Sequence, residues 1–192
     1  MNYAIIDLEF TSWKGSWARN WSLPWEKKEI IQIGAIKFNN FQKFSDKNIN
    51  IYIKPKINKH LSSYIQKLTG IRQYHIDELG ISLGEADIIL RKFFSDVKKI
   101  YCNGLDKEIL INNYKLLNMQ APKFIKNIYN INPMLASILN IDKEKLISSE
   151  LHHFFKIRDN NRQRHNGLND CINIFNCLKK INNIEKILEK IK

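Results

Sequence analysis

The sequence predicts an α/β domain with a mixed sheet. Two observations predict this fold class: the first third of the chain holds three β-rich stretches, and the remainder alternates short strands with amphipathic helices. The chain has 192 residues, of which 44% are hydrophobic and 26% are charged. Because this length and composition suit one compact domain with a buried core, we expect residues 1–192 to form a single domain.

Three strands are expected before the first helix. Residues 3–8 form a short apolar run closed by acids, which indicates a buried strand. Residues 29–38 are rich in β-forming side chains, and residues 49–54 form a similar run that ends at Pro55. Residues 13–28 are polar, basic and rich in tryptophan, so we expect a loop there. The three strands together predict an antiparallel meander.

A helical period begins at Leu61 and continues, with interruptions, to the end of the chain. Gly70 is expected to end the first helix, and Pro133 stands in the first turn of a later one. Helices are predicted at residues 61–68, 83–98, 105–117, 134–139, 143–155 and 167–180, and further strands at residues 100–103 and 124–129. The tail to residue 192 either extends or follows the last helix.

The charge of the chain points to a polyanionic partner. The net charge is +12, from 31 Lys and Arg against 19 Asp and Glu, which favours nucleic acid. A compositional bias towards Lys, Asn and Ile is the alternative source of this charge. Three cysteines are too few for a disulfide scaffold or a cysteine-rich zinc site. No signal peptide and no membrane-length apolar run is visible, so a cytoplasmic location without membrane contact is expected.

Two acids stand together at the end of the first predicted strand. Asp7 and Glu9 are two residues apart, and such side chains point to the same face of a strand. Burying two unpaired carboxylates is costly, and a hard cation such as Mg²⁺ or Mn²⁺ would offset that cost. A solvated pair of strand-end acids explains the same pattern when it is considered alone.

Three further residues complete a set that a metal-dependent phosphodiesterase requires. Asp106 directly follows the predicted strand 100–103, while His165 and Asp170 flank the start of the last long helix. Considered alone, each aspartate can be an acid in the first turn of a helix, and the histidine can be an exposed loop residue. Together they predict a two-metal site, in which carboxylates hold two ions roughly 3.5–4 Å apart. A neutral histidine is suited to take the proton from the attacking water.

The same residues carry a resemblance to a known family. Residues 5–11 (IIDLEFT), 103–106 (NGLD) and 165–170 (HNGLND) resemble, in order, the three motifs of the DnaQ-like DEDD 3′→5′ exonucleases in their histidine form, DEDDh. The tyrosine subclass has Tyr four residues before the last Asp, where this chain has Asn166. The resemblance implies an RNase H-like fold, a five-stranded mixed sheet flanked by helices. It also implies release of 5′-mononucleotides from single-stranded RNA or DNA 3′ ends.

The resemblance also implies a role for each residue of the site. Asp7 would bridge two divalent cations, Mg²⁺ or Mn²⁺, and Glu9 and Asp170 would bind the catalytic one. Asp106 would hold a water of the metal site, and His165 would be the general base.

A further segment narrows the branch of the family. Residues 61–73 (LSSYIQKLTGIRQ) resemble a segment of the eukaryotic-type exonucleases that trim the 3′ ends of histone mRNA, ribosomal RNA and small RNAs, and of their bacterial relatives. This implies that Leu68 and Thr69 wall the terminal-nucleotide pocket, with Phe10 and Thr11 on its other side. Asn103 in the second motif is another candidate for substrate binding. The chain departs from this branch at Asn169, where an acid is common.

Four tryptophans repeat every four residues in the loop before the second strand. They are Trp13, Trp17, Trp21 and Trp25, with basic residues between them. A helical turn would bring them near one face, where one or two, with Trp17 and Trp21 as the candidates, could stack on the bases of a single strand. A cluster that packs the loop onto the domain, or a dimer contact, explains the pattern equally well.

Several alternatives stay open from the sequence. The enzyme could be an oligoribonuclease-like or a polymerase-proofreading exonuclease, and a non-catalytic nucleic-acid-binding module is the alternative of another class. His152 and His153 are expected to cap or pack rather than to bind metal. Arg158, Arg162 and Arg164 could contact phosphates or form a solvated basic loop. RNA is favoured over DNA as the substrate, and DNA stays an alternative. Both a monomer and a homodimer are compatible with the sequence.

Overall fold

A five-stranded mixed sheet forms the centre of the molecule. The computed structural model describes residues 2–158 and 165–191. The strands are β1 Asn2–Phe10, β2 Ile30–Phe38, β3 Phe44–Tyr52, β4 Val97–Cys102 and β5 Ile128–Asn130. Their order is β3-β2-β1-β4-β5; β1, β2 and β3 form an antiparallel meander, whereas β4 runs parallel to both β1 and β5. The predicted fold class is therefore confirmed.

Helices cover both faces of this sheet. They are α1 Ser63–Thr69, α2 Leu83–Phe93, α3 Asp106–Leu116, α4 Asn132–Leu139, α5 Leu151–Phe154, α6 Gly167–Leu178 and α7 Ile184–Glu189. A π-helical turn covers His75–Leu79, and 3₁₀ turns cover Lys123–Asn127, Lys143–Lys145 and Ser148–Glu150. Gly70 ends α1 with a left-handed backbone, as the sequence predicted.

Alternation along β1 separates two hydrophobic clusters. Ala4, Ile6 and Leu8 pack in the cluster that contains α2 and α3, whereas Ile5 packs in the cluster that contains α6. Because side chains two residues apart share a face of a strand, Asp7 is directed to the α6 side with Ile5. The two acids of β1 therefore lie on the face where the third sequence motif begins a helix.

Residues 143–155 do not form the predicted helix. Two 3₁₀ turns and the four-residue α5 occupy this segment. The reason lies in tertiary hydrogen bonds: the carbonyl oxygen of Leu146 accepts from Asn103 Nδ2 at 2.8 Å, and that of Ser148 accepts from Asn173 Nδ2 at 2.6 Å. These carbonyls are held by side chains from other elements, so helical pairing is lost.

Three other element boundaries differ from the prediction. The second helix ends at Phe93 instead of residue 98, because Val97 pairs with Asn2 and starts β4. β3 begins at Phe44 rather than residue 49, since backbone pairing with β2 tolerates polar side chains on an edge strand. The predicted strand 124–129 is mostly a 3₁₀ turn, and β5 overlaps only its last two residues and ends one residue later, at Asn130.

Candidate active site

Four carboxylates from three parts of the chain lie buried at one end of the sheet. Asp7 and Glu9 belong to β1, Asp106 is the first residue of α3, and Asp170 lies in the first turn of α6. All four are buried and line the same cleft. The parallel pairing of β1 with β4 explains the meeting, because both strands end at the same edge and α3 starts just beyond β4.

Asp106 is tied directly to β1. Its Oδ1 accepts a hydrogen bond from the Leu8 N–H at 3.0 Å, which joins residues 98 positions apart. This bond fixes the second motif beside the first.

The beginning of α6 rests on the backbone of β2. A Cβ on Gly34 would lie 2.0 Å from the carbonyl carbon of Gly167, so both positions need glycine for the two backbones to approach this closely. Gln32 strengthens the contact: its Oε1 accepts from the Gly167 N–H at 3.0 Å, and its Nε2 donates to Asn50 at 2.8 Å. β2 thereby sets the position of the helix that carries Asp170.

His165 stands next to two of the acids. Single ligand atoms of Glu9, His165 and Asp170 lie within 4.8 Å of one another, a spacing that could hold a metal ion. His165 has a left-handed backbone, with φ of 52°, and its Nε2 lies 3.4 Å from the Ser149 hydroxyl. Asn166 then caps α6 through its side chain, which accepts from the Asn169 N–H.

Burial and mutual repulsion make the carboxylates harder to ionise. Burial, followed by the neighbouring charges, raises the pKa of Asp7 and of Glu9 well above the ordinary values. Burial raises the pKa of Asp106 to about 6, partly offset by the Leu8 N–H. Burial and the Asp106 charge raise the pKa of Asp170 to about 8. When these carboxyl groups are ionised, their negative charges are buried and repel one another.

The donor set fits divalent cations. Among residues 2–158 and 165–191, no Lys or Arg forms an ion pair with Asp7, Glu9, Asp106 or Asp170. The four buried carboxylates present oxygen ligands of the type that Mg²⁺ and Mn²⁺ prefer. A cation bound there would lower the pKa of each acid and remove the repulsion between them.

The acids form the floor of a cleft of about 650 Å³. Its described lining includes the predicted residues Phe10, Trp17, Trp21, Leu68 and Asn103, together with Tyr64, Leu105, Ile147 and Lys143. Several apolar side chains of this lining are exposed, which gives the cleft apolar surface above an acidic floor. That combination suits a nucleotide, whose base is flat and apolar on its faces and whose phosphate needs cations.

Two of the predicted pocket residues lie behind this described lining. Thr11 is buried, and its hydroxyl donates to the Lys27 carbonyl and accepts from the Glu29 N–H. Thr69 is also buried, and its hydroxyl donates to the Ile65 carbonyl within α1. We therefore expect both threonines to support the wall of the cleft instead of contacting a substrate.

Asn103 combines a place in the cleft with a structural role. Its Nδ2 donates to the Leu146 carbonyl at 2.8 Å and to the Ser148 hydroxyl at 3.2 Å. Its Oδ1 accepts from Asn132 at 3.2 Å. Sequence reasoning missed Ser148, whose hydroxyl lowers the pKa of Asp7 against the larger raising effects, because only the folded chain brings it to β1.

The tryptophan segment does not form the helical turn considered from the sequence. It consists of irregular turns, with Asn20 and Trp21 in the left-handed region at φ of 50° and 51°. The segment is nevertheless fixed from inside, since the buried Glu26 accepts from the Arg19 guanidinium and from the Ser16 hydroxyl.

Three of the remaining basic candidates, His152, His153 and Arg158, are not among the described lining residues of the cleft. His153 forms an ion pair with Glu150 at 3.0 Å, and His152 is buried in the same helix, α5. Arg158 does not belong to the described lining, and Arg162 and Arg164 lie outside the described residues. That the two histidines cap or pack rather than bind metal stays a prediction.

Fold and site together define a class of proteins. A five-stranded mixed sheet in this order with flanking helices is the RNase H-like α/β fold. Within this class the chain belongs to the RNase_T exonuclease family, whose model matches residues 4–178. No curated protein matches the chain.

Three solved structures that are similar to this chain are nucleases. The nuclease domain of 3′hExo, a DEDDh family member bound to rAMP, is 20% identical with a TM-score of 0.78, over 99% of this chain and 93% of that one. Cell-death related nuclease 4 is 19% identical with a TM-score of 0.74, over 100% and 65%. Exonuclease I of E. coli in complex with a dT13 oligonucleotide is 14% identical with a TM-score of 0.70, over 98% and 42%. The chain thus spans less than two thirds of several longer relatives.

None of the described helices is long and apolar enough to cross a membrane.

Proposed function

We propose that residues 1–192 form one 3′→5′ exonuclease domain that hydrolyses single-stranded nucleic acid 3′ ends and releases 5′-mononucleotides. The observation that carries the proposal is the gathering of Asp7, Glu9, Asp106 and Asp170, beside His165, on the floor of one cleft in a chain of the exonuclease family. A non-catalytic nucleic-acid-binding module would not require four buried acids that repel one another. An oligoribonuclease-like or a polymerase-proofreading exonuclease would use the same chemistry.

The chemistry follows from what each side chain can do. Two divalent cations, Mg²⁺ or Mn²⁺, would activate the attacking water and stabilise the leaving 3′-oxygen. Asp7, Glu9, Asp106 and Asp170 would hold them. His165 accepts the proton of the water as its oxygen attacks phosphorus and the bond from phosphorus to the 3′-oxygen breaks. His165 is placed for this role, because its ring lies beside Glu9 and Asp170.

The terminal nucleotide would lie between apolar side chains of the cleft. Phe10 follows the two acids of β1, and Leu68 comes from the last turn of α1. Asn103 offers a polar edge to the same space, and Thr11 and Thr69 stand behind it. The neighbours 3′hExo, bound to rAMP, and E. coli exonuclease I, bound to an oligodeoxynucleotide, make both RNA and DNA reasonable substrates, with RNA favoured.

An Asp7→Asn substitution tests the catalytic proposal. The amide keeps the size of the side chain but removes its negative charge, so hydrolysis of a 3′-labelled single strand in Mg²⁺ or Mn²⁺ should fall at least a thousandfold. The exposed Asp46 offers a matched control, and Asp46→Asn should hydrolyse the strand at the wild-type rate. Equal activity of Asp7→Asn and wild type, or no release of nucleotide by the wild type with any divalent metal, would refute the proposal.

The cytoplasmic location and the choice between monomer and homodimer remain predictions from the sequence.

A further inference from the structure

Trp17 and Trp21 lie in the same cleft but are held in different ways. Trp21 is half-buried: its ring packs 5.6 Å from Phe10, the Nζ of Lys28 lies 4.3 Å from its centre, and its Nε1 donates to the Thr11 carbonyl. Trp17 is 67% exposed and contacts Trp21 through an edge-to-face arrangement at 5.7 Å. Trp21 is therefore a support, and Trp17 is the side chain that it presents.

The segment that carries Trp17 is held by hydrogen bonds and an ion pair within the chain. Ser16, the residue before Trp17, is fully buried, accepts from the Trp13 N–H at 2.9 Å and donates to Glu26 at 2.7 Å. Arg19, two residues after Trp17, is bound to the same Glu26 carboxylate. An exposed aromatic ring on a rigid support loses little conformational entropy when it binds, which is the property of a stacking platform.

The cleft itself indicates what the ring would stack on. Phe10 contacts Trp21, and Trp21 contacts Trp17, so these three aromatic side chains form a continuous row in the lining of the cleft that also holds the acids. The net charge of +12 favours a polyanion along such a row. A strand whose last phosphodiester lies on the acids would place an earlier base beside the outermost ring.

We infer that Trp17 forms a second nucleotide subsite, which stacks on an unpaired base upstream of the terminal nucleotide. This inference rests on the proposed function and deepens it, since it names the substrate as an unpaired strand of at least two nucleotides. Trp21 and Phe10 act as its support. Stacking on a single ring does not read base identity, so the subsite accepts any base.

The experiment compares two substrates that differ only in upstream nucleotides. The full chain in Mn²⁺ hydrolyses thymidine 5′-monophosphate p-nitrophenyl ester, which has no upstream base, and a single-stranded octanucleotide. Trp17→Ala should lower kcat/KM for the octanucleotide about tenfold more than for the ester, with the loss mostly in KM. Trp17→Phe should restore most of the difference, because phenylalanine keeps a stacking face.

Trp25 is the matched control. It belongs to the same segment and is 56% exposed, but it is not among the described lining residues of the cleft. Trp25→Ala should keep the wild-type ratio between the two substrates. Equal losses on both substrates in Trp17→Ala, or the same change of ratio in Trp25→Ala, would overturn the inference.

A binding measurement separates this inference from the proposed function. Fluorescence anisotropy of a labelled octanucleotide in Ca²⁺ reports affinity without turnover, and Trp17→Ala should weaken it about tenfold while Trp25→Ala does not. If the wild type hydrolyses neither substrate, the proposed function fails, and the binding comparison still decides on Trp17. Unchanged affinity of Trp17→Ala would contradict the subsite.

Discussion

The buried carboxyl group of Asp170 is expected to destabilise the metal-free fold at the pH at which it ionises. Its folded pKa of about 8 lies far above that of an exposed aspartate, because of burial and the Asp106 charge. In the metal-free protein the folded state therefore holds this proton more strongly than the unfolded state. As pH rises from about 4 towards about 8, ionisation is easier in the unfolded chain, and stability falls.

We expect Asp170→Asn to stabilise the metal-free protein at pH 8 and to abolish hydrolysis. An amide cannot ionise, so the penalty disappears, and a gain of about 1 kcal/mol corresponds to roughly 2–4 °C in Tm. Thermal unfolding in EDTA at pH 5 and pH 8 measures the effect, which should be clearly smaller at pH 5. Saturating Mn²⁺ should stabilise the wild type and reverse the order of the two proteins at pH 8.

Asp46→Asn serves as the control for this comparison, because the side chain of Asp46 is 95% exposed and its ion pair with Lys43 is long, at 3.8 Å. Its Tm should match that of the wild type at both pH values. A metal-free Asp170→Asn protein that unfolds below the wild type at pH 8 would show that the carboxylate is stabilised by contacts, contrary to the raised pKa.

The junction of β2 and α6 is the element contact on which the third motif depends. Gly34→Ala should push the start of α6 away from β2, because the new Cβ would lie 2.0 Å from the Gly167 backbone. Overpacking of this kind costs about 1–3 kcal/mol, and a displaced Asp170 should lower kcat by at least tenfold. Chemical denaturation and steady-state kinetics measure the two effects.

Gly84→Ala is the matched glycine control. Gly84 lies in the first turn of α2, and the nearest atom to an added Cβ is the Ser82 hydroxyl at 3.8 Å. Alanine should stabilise the protein by about 0.4–1 kcal/mol without altering kcat. If Gly34→Ala behaves like Gly84→Ala, then α6 does not depend on close approach to β2.

Elements were predictable from sequence where a local pattern decides their structure. β1 and α6 follow from an apolar run and a helical period, and the capped α1 follows from Gly70. Residues 143–155 also have a helical period, yet Asn103 and Asn173 bind their carbonyls from elsewhere in the fold. No pattern within that segment reports those partners.

The same distinction applies to the residues of the site. Asp7, Glu9, Asp106, His165 and Asp170 stand in short motifs, so the sequence could nominate them together. Gln32 lies in a β-rich run, and no neighbouring residue indicates its role. Its hydrogen-bond partner Gly167 is 135 residues away. Thr11 and Thr69 illustrate the converse: they adjoin motif residues, but the direction of a side chain is fixed only by packing.

The whole molecule carries a net charge of +12, which predicts binding that depends strongly on salt. For single strands the slope of log affinity against log salt is about −0.7 per phosphate contacted. With about three contacts, the affinity for an octanucleotide should fall roughly twentyfold between 50 and 200 mM salt. Anisotropy titrations in Ca²⁺ measure this slope.

Trp17→Ala should weaken the affinity for the octanucleotide at every salt concentration without changing the slope of log affinity against log salt, because stacking releases no counterions. An affinity that does not change over this salt range would mean that the positive charge is compositional and takes no part in binding.

The contact between α6 and β2 joins the last motif in chain order to a strand that is synthesised much earlier. A nascent chain that ends before Gly167 contains all five strands, but it lacks Asp170 and the helix that rests on Gly34. We expect such a ribosome-bound chain to be unable to cleave nucleic acid, even with its sheet already formed. The site is therefore complete only after the beginning of α6 has been synthesised and has packed on β2.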